Sequence, residues 1–209
     1  MPPVPTSLPP NEGFEIAPLD GAEDLLRAWD AGFRALLLSP GVTAATRADL
    51  QAGRRITGEL AATLREPGKQ WLLASRLRGA VQCVGSLKLS RRALFVEYLA
   101  SAPWNLLRGA DLRDPRTAHG ACSALIEHAV RLSRAAGLQG RLSLEADNPH
   151  CRQIYVHLGF RRAPGEAGDL IPQPALATEA SDLMLLEPAT SLGWRRRARC
   201  VPQLSVEVP

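Results

Sequence analysis

Lysine is nearly missing from this chain: of its 25 basic residues only Lys69 and Lys88 are not arginine. The bias can follow from genome composition as readily as from phosphate recognition, and the formal net charge of +4 is mild. Cysteine is sparse. Cys83, Cys122, Cys151 and Cys200 lie far apart in sequence with no Cys-x-x-Cys pair, which argues against a zinc site or a secreted disulfide framework and predicts a reducing compartment. No apolar run approaches the ~20 residues that a membrane span needs. Met1-Pro2-Pro3 begins no signal peptide. A cytoplasmic protein with no metal and no membrane partner is expected.

What is present is an ordinary globular composition, 45% hydrophobic and 22% charged over 209 residues, enough for one domain with a full core. Residues 1–12 are proline-rich and are expected to be disordered, residues 13–187 to form the domain, and residues 188–209 to form a basic tail. Phe14 to Ala17 alternates as an edge strand does. Leu25, Leu26, Trp29, Phe33, Leu36 and Leu37 recur at helical spacing over Asp24 to Leu38. Thr43 caps a second helix that stops at Glu66-Pro67-Gly68. Trp71 to Arg76 and Val81 to Leu89 form strands joined at Arg78-Gly79, and Ser90 to Arg92 turns into a third. Three strands in hairpin order followed by a helical crossover predict a mixed sheet, α/β or α+β in class.

The segment from Leu94 to Phe160 organises the rest. Leu94 to Ala100 suits a strand buried on both faces, and Glu97 is its single charge. At period two Glu97 shares a face with Phe95, Leu99 and Ser101. A polar loop, Trp104 to Ala118, leads to a helix opened by His119-Gly120-Ala121-Cys122-Ser123 and closed by Gly137. Free N–H groups at such a helix start attract an anion, and Gly120 lets the backbone approach one closely. The ordinary alternative is a plain helix start. Arg141 to Glu145 alternates as a strand. Asn148-Pro149 supplies the cap and first-turn proline of another helix, and Tyr155, seven residues after Asn148, faces the same side. Asp182 to Leu186 is the last strand.

Asn148, Cys151, Tyr155, Gly159 and Phe160 resemble the Asn-x-x-Ala-x-x-x-Tyr-x-x-x-Gly-Phe signature of the GNAT superfamily of N-acyltransferases, with Cys151 in place of the small residue. Gly120-Ala121-Cys122 is similar to that family's pyrophosphate loop. Thr117 stands where Gln or Arg is usual, Arg116 lies one place earlier, and Cys122 replaces the second Gly or Ala. Leu99 to Asn105 is similar to a segment of some bacterial members. Agreement at the level of motifs covers Glu97 to Phe160; by order of elements it covers roughly Gly13 to Glu187.

The resemblance implies a single domain with a mixed, mostly antiparallel central sheet flanked by helices. It implies transfer of an acetyl or acyl group from acetyl-coenzyme A to a primary amine of a small molecule or protein, without a metal. It puts the pantetheine arm along Leu99 and Ser101, and the phosphates at Gly120, Ala121, Cys122 and Ser123. Arg116 and His119 would add side-chain contacts, and Asn148 a secondary one. Tyr155 would sit by the thioester sulfur. The first two helices would lie over the acceptor pocket, and a homodimer is an admissible assembly. Two roles stand open for Glu97: base for the acceptor amine, directly or through a water, or partner of an arginine on a neighbouring strand. A Cys122–His119 nucleophile lacks a third orienting group. Two other functions remain: a coenzyme A-binding sensor or scaffold without catalysis, motivated by the altered loop, and nucleic-acid binding through Arg195 to Arg199. Few aromatics accompany that arginine run, so nucleic acid is not the expected partner.

Overall fold

The computed structural model describes residues 13–19, 21–64, 70–107, 114–163, 167–172 and 182–188. The proline-rich start, the Arg195 to Arg199 run and much of the Pro/Gly-rich segment after Phe160 lie outside the described residues. The elements are β1 (Glu15–Pro18), α1 (Ala22–Leu38), α2 (Ala44–Thr63), β2 (Gln70–Leu77), β3 (Ala80–Leu89) and β4 (Leu94–Ser101), then a 3-10 turn, Pro103–Leu106. They continue as α3 (Ala121–Ala135), β5 (Leu142–Glu145), α4 (Pro149–His157), β6 (Arg161–Arg162), α5 (Ala167–Leu170) and β7 (Leu183–Leu186). The 3-10 turn, β6 and α5 are additions to the elements expected from sequence, being too short to carry a periodic signal.

Local chemistry sets the boundaries. Thr43 Oγ1 accepts the N–H of Thr46, 3.2 Å away, and so starts α2. Arg78 and Gly79 both take positive φ, +52° and +80°, in the two-residue turn that joins β2 to β3 with the twist a hairpin needs. Gly137, at φ +79°, ends α3: its N–H reaches Arg134 O and that of Leu138 reaches Ser133 O.

One sheet holds all seven strands in the order β1-β2-β3-β4-β5-β7-β6. Only β4 and β5 run parallel, joined through α3; the other pairs are antiparallel. This is the mixed, mostly antiparallel sheet expected from the strand and helix order. The α3 face carries the larger core, with Leu87, Leu94, Val96, Leu125, Leu142 and Met184 buried together. Gly85 on β3 admits α3 closely, because a Cβ there would meet Leu125 Cδ2 at 2.7 Å. On the opposite face α1 and α2 pack Leu26, Trp29, Phe33, Leu50 and Leu60 over Ala74 and Val84. Further along that face Phe95 joins Leu170, Leu183 and Leu185.

A bulge in β4 corrects the period-two expectation for Glu97. Leu87 opposes Val96 whereas Ser86 opposes Tyr98, leaving Glu97 as an extra residue. Before it, Leu94 and Val96 face α3 and Phe95 faces away. After it the phase is reversed: Leu99 packs towards α3, and Tyr98 and Ala100 towards α1 and α2. Glu97 bonds Ser86 and Lys88, which alternate with the α3-facing Gly85 and Leu87. It therefore shares the face of Phe95 and not that of Leu99 and Ser101. Nor is β4 buried throughout, since Glu97, Tyr98 and Leu99 are half-buried.

Candidate functional site

The bulge also marks where the sheet parts. β4 pairs with β5 only at Leu94–Leu142, Phe95–Ser143 and Val96–Leu144. Beyond Val96 the strand keeps its bonds to β3 as far as Ser101, while the chain after β5 turns away, the N–H of Ala146 bonding Asp182 O at 3.0 Å. A cleft of about 450 Å³ opens in the gap, walled by Leu99 and Ser101 on one side and by Asn148 and Tyr155 on the other. Its lining comes from both faces of the sheet: Cys122 and Ser123 from the start of α3, and Asp49, Gly53 and Ile56 from α2.

At the helix start Gly120 sits at φ +90°, a conformation that strains any other residue, and as glycine it has no side chain with which to cap the first turn. The N–H groups there and the positive end of the helix dipole favour an anion. The preceding loop is pinned. Thr117 Oγ1 donates to Trp104 O at 3.0 Å, and Asn105 Oδ1 accepts the Ala118 N–H at 2.8 Å. Trp104 and Asn105 are in turn held by the buried Gln82 side chain. The similarity seen over Leu99 to Asn105 thus falls on residues that brace the helix start. Helix α3 begins at Ala121, two residues after the predicted opening, so that His119 sits in the turn before it.

Of the sequence-predicted site residues, Leu99, Ser101, His119, Cys122, Ser123, Asn148 and Tyr155 line the cleft. Gly120 and Ala121 belong to its helix start without lining it. Arg116 is drawn elsewhere: its guanidinium grips Asp114 at 2.9 and 2.6 Å and stacks over the Trp104 ring at 4.0 Å. The same grip holds the Asp114 carboxyl below the usual carboxylate range. Asn148 caps α4, its Oδ1 accepting the Cys151 N–H at 2.8 Å. Glu97 is outside the lining. Its carboxylate is 2.5 Å from Lys88 Nζ and 3.0 Å from Ser86 Oγ, so the partner on the neighbouring strand is a lysine rather than an arginine.

Burial pushes the Tyr155 phenol above its ordinary value, with Cys151, Cys122 and Cys83 adding to the shift. The phenol therefore stays protonated and can donate. Its ring lies 5.7 Å from that of Phe160, which joins the two aromatic positions of the α4 motif.

Three features of the site carry no sequence signal that single-chain reading can extract. The resemblance puts the first two helices over the acceptor pocket, but that Asp49, Gly53 and Ile56 are the α2 residues that reach the cleft follows from tertiary packing alone. Asp147, beside the recognisable Asn148 cap, is a lining carboxylate paired with Arg55 of α2. Cys83 and Cys122, 39 residues apart, bring their sulfurs to 2.8 Å, with Ser101 Oγ 3.1 Å from Cys122. Among the described residues no group of three or more His, Cys, Asp or Glu is placed to hold a metal ion, and no helix is long and apolar enough to cross a membrane.

Neither a protein-family model nor a curated protein matches the sequence. The structure is similar to that of the PaiA N-acetyltransferase from Thermoplasma acidophilum in complex with coenzyme A, at 13% identity and a TM-score of 0.47, over 83% of this chain and 98% of that one. It is similar to the AtaT-AtaR complex bound to DNA, at 19% identity and a TM-score of 0.47, over 86% and 96% of the two chains. An acetyltransferase from Streptococcus agalactiae gives 13% identity and a TM-score of 0.47, over 83% and 98%.

Proposed function

We propose that residues 13–187 are a GNAT-like N-acetyltransferase unit that passes an acetyl group from acetyl-coenzyme A directly to a primary amine in a ternary complex. The observation that carries this reading is the through-sheet cleft: the β4 edge that β5 leaves after Val96 and the start of α3, which meet where Ser101 touches Cys122, line it opposite Asn148 and Tyr155. The edge of β4 at Leu99 and Ser101 bonds an extended amide chain as an added strand would. The first turn of α3, Ala121 to Ser123, takes a pyrophosphate on its N–H groups, with Gly120 allowing the approach. His119 adds a side-chain contact from the turn ahead. The acyl donor supplies an activated thioester carbonyl.

The residues of the chain divide the remaining work. Tyr155 donates a hydrogen bond to the leaving sulfur. Its raised pKa makes full proton transfer costlier than for a free phenol, so stabilisation of the thiolate by that bond is its main role. A main-chain N–H of β4 beside the bulge stabilises the oxyanion. The acceptor enters from the α1–α2 face, past Asp49, Gly53 and Ile56 of α2. A lysine-like amine costs about 4.6 kcal/mol to deprotonate at pH 7. Glu97, on that same face, takes the proton through a water, and Lys88 keeps its carboxylate in place.

Calorimetric titration of acetyl-coenzyme A into the full-length protein, wild type beside Ser123→Glu, tests the reading. The substitution keeps a residue tolerated in a first helical turn and sets a negative charge where the phosphates would lie. Wild type should bind, and Ser123→Glu should lose at least 10-fold in affinity with an unchanged melting temperature. Equal affinities would remove the phosphate site from α3. Binding without turnover across a panel of amines would leave a sensor or scaffold instead of an enzyme.

A further inference from the structure

The three cysteines among the described residues converge on one place. Cys83 is fully buried on β3 and faces α3; Cys122 is the second residue of α3, half-buried, with its side chain in the cleft wall; Cys151 lies across from it on α4. Only one pair is in contact, the Cys83 and Cys122 sulfurs at 2.8 Å. We propose that Cys122 and Cys83 form a redox-active dithiol, in which Cys122 is the site of oxidation by a hydroperoxide and Cys83 closes an intramolecular disulfide behind the cleft wall.

Position separates the two roles. Cys122 stands at the positive end of α3, where a thiolate is favoured, and of the pair it alone is half-buried and lines the cleft, the side from which an oxidant would come. Cys83 has no exposed surface and cannot be attacked first. Hydrogen bonding from Cys83 and then from Ser101 draws the Cys122 thiol down, against burial, whereas burial pushes the Cys83 thiol up. Of the two, Cys122 is therefore the thiol that ionises more readily and Cys83 the one that holds its proton longer. Cys151 is pushed up by burial, and among the described residues no sulfur bonds to it.

The chemistry balances with a hydroperoxide as oxidant. The Cys122 thiolate attacks one peroxide oxygen and becomes a sulfenic acid, and the other oxygen leaves as hydroxide and takes a proton. Cys83, deprotonating as it attacks, displaces the sulfenic oxygen as water. Two thiols lose two electrons and two protons, and hydrogen peroxide becomes two waters. A disulfide bond of ~2.05 Å requires the sulfurs to close by roughly 0.8 Å, which pulls Cys122 off Ser101 and ties the first turn of α3 to β3. The proposal does not depend on the acetyltransferase reading.

The test uses the reduced full-length protein exposed to a slight excess of hydrogen peroxide, alkylated, digested without reductant and mapped by mass spectrometry. A linked peptide pair containing Cys83 and Cys122, lost on treatment with dithiothreitol, is the expected product. In Cys83→Ser, or Cys83→Ala where serine is not tolerated in that buried place, Cys122 should accumulate as a sulfenic acid trapped by dimedone. In Cys122→Ser, Cys83 should stay unmodified. Cys83 and Cys122 both remaining alkylatable in the peroxide-treated wild type would overturn the proposal. So would links or sulfenic acid confined to Cys151 or Cys200.

Discussion

At the scale of single residues, the roles proposed for Tyr155 and Glu97 rest on their surroundings. Tyr155 lies in the cleft among thiols and apolar groups that keep its phenol protonated across the neutral range. Glu97 is held outside the cleft by Lys88 and Ser86. A pair of pH–rate profiles tells the two roles apart. Tyr155→Phe should lower kcat by roughly 10- to 10⁴-fold with little change in coenzyme affinity, and by the same factor at every pH, because it removes a hydrogen bond made in the transition state. Glu97→Gln should lower kcat/KM at neutral pH by an amount that shrinks as pH rises and more of the amine is already neutral. A flat and wild-type profile for Glu97→Gln would assign Glu97 to the Lys88 ion pair alone. Wild-type kcat in Tyr155→Phe would assign the tyrosine to packing against Phe160. The side-chain identities at these positions stand out in the sequence. Their orientation does not, since one bulged residue reverses the face of everything after it.

At the scale of elements, what was legible followed local rules. Thr43, Gly137 and Asn148-Pro149 mark helix ends through hydrogen bonds and backbone conformations that a few neighbouring residues decide, and the structure has each in its expected role. What stayed hidden depends on partners distant in sequence. The Cys83–Cys122 contact, the identity of the α2 residues that wall the cleft and the diversion of Arg116 onto Asp114 and Trp104 are of that kind. The contact of α3 with β3 belongs to the same class, and it sets how deep the helix start lies. Gly85→Ala would push a methyl group into Leu125 in a fully packed core, so it should destabilise by about 1–3 kcal/mol in urea unfolding. Adding Leu125→Ala should cost less in the Gly85→Ala background than in wild type, because the clash and the vacated volume offset each other. Strict additivity would mean that α3 is seated by other contacts.

At the scale of the whole molecule, the cleft exists because β4 and β5 diverge, and divergence is stable only if the far half of the sheet is anchored independently. Core packing of Phe95 with Leu170, Leu183 and Leu185 supplies part of that anchor. Charge supplies another part at the strand ends. Glu187, just after β7, accepts from Arg161 of β6 at 2.8 Å and from Arg141, just before β5, at 3.3 Å. Arg141 also donates to Arg92 O at 3.2 Å, which links this cluster to the turn before β4. Burial acts to raise the Glu187 pKa, but the two guanidinium groups outweigh it and hold the carboxyl below its usual range. The folded state thus binds the Glu187 proton less tightly than the unfolded chain does. The resulting stability is complete above the unfolded value of ~4.3 and is lost as pH falls through the folded value. The carboxylate is about a third exposed, 35%, so solvent screening limits the contribution to about 1 kcal/mol or less. Glu187→Gln should therefore lower the urea midpoint at pH 7 and converge on wild type only once pH has fallen below the folded value, with the slope of the transition unchanged. A deficit that persisted undiminished into acid would mean that the neutral amide disturbs packing at the end of β7, and that the charge cluster does not help to hold the sheet open.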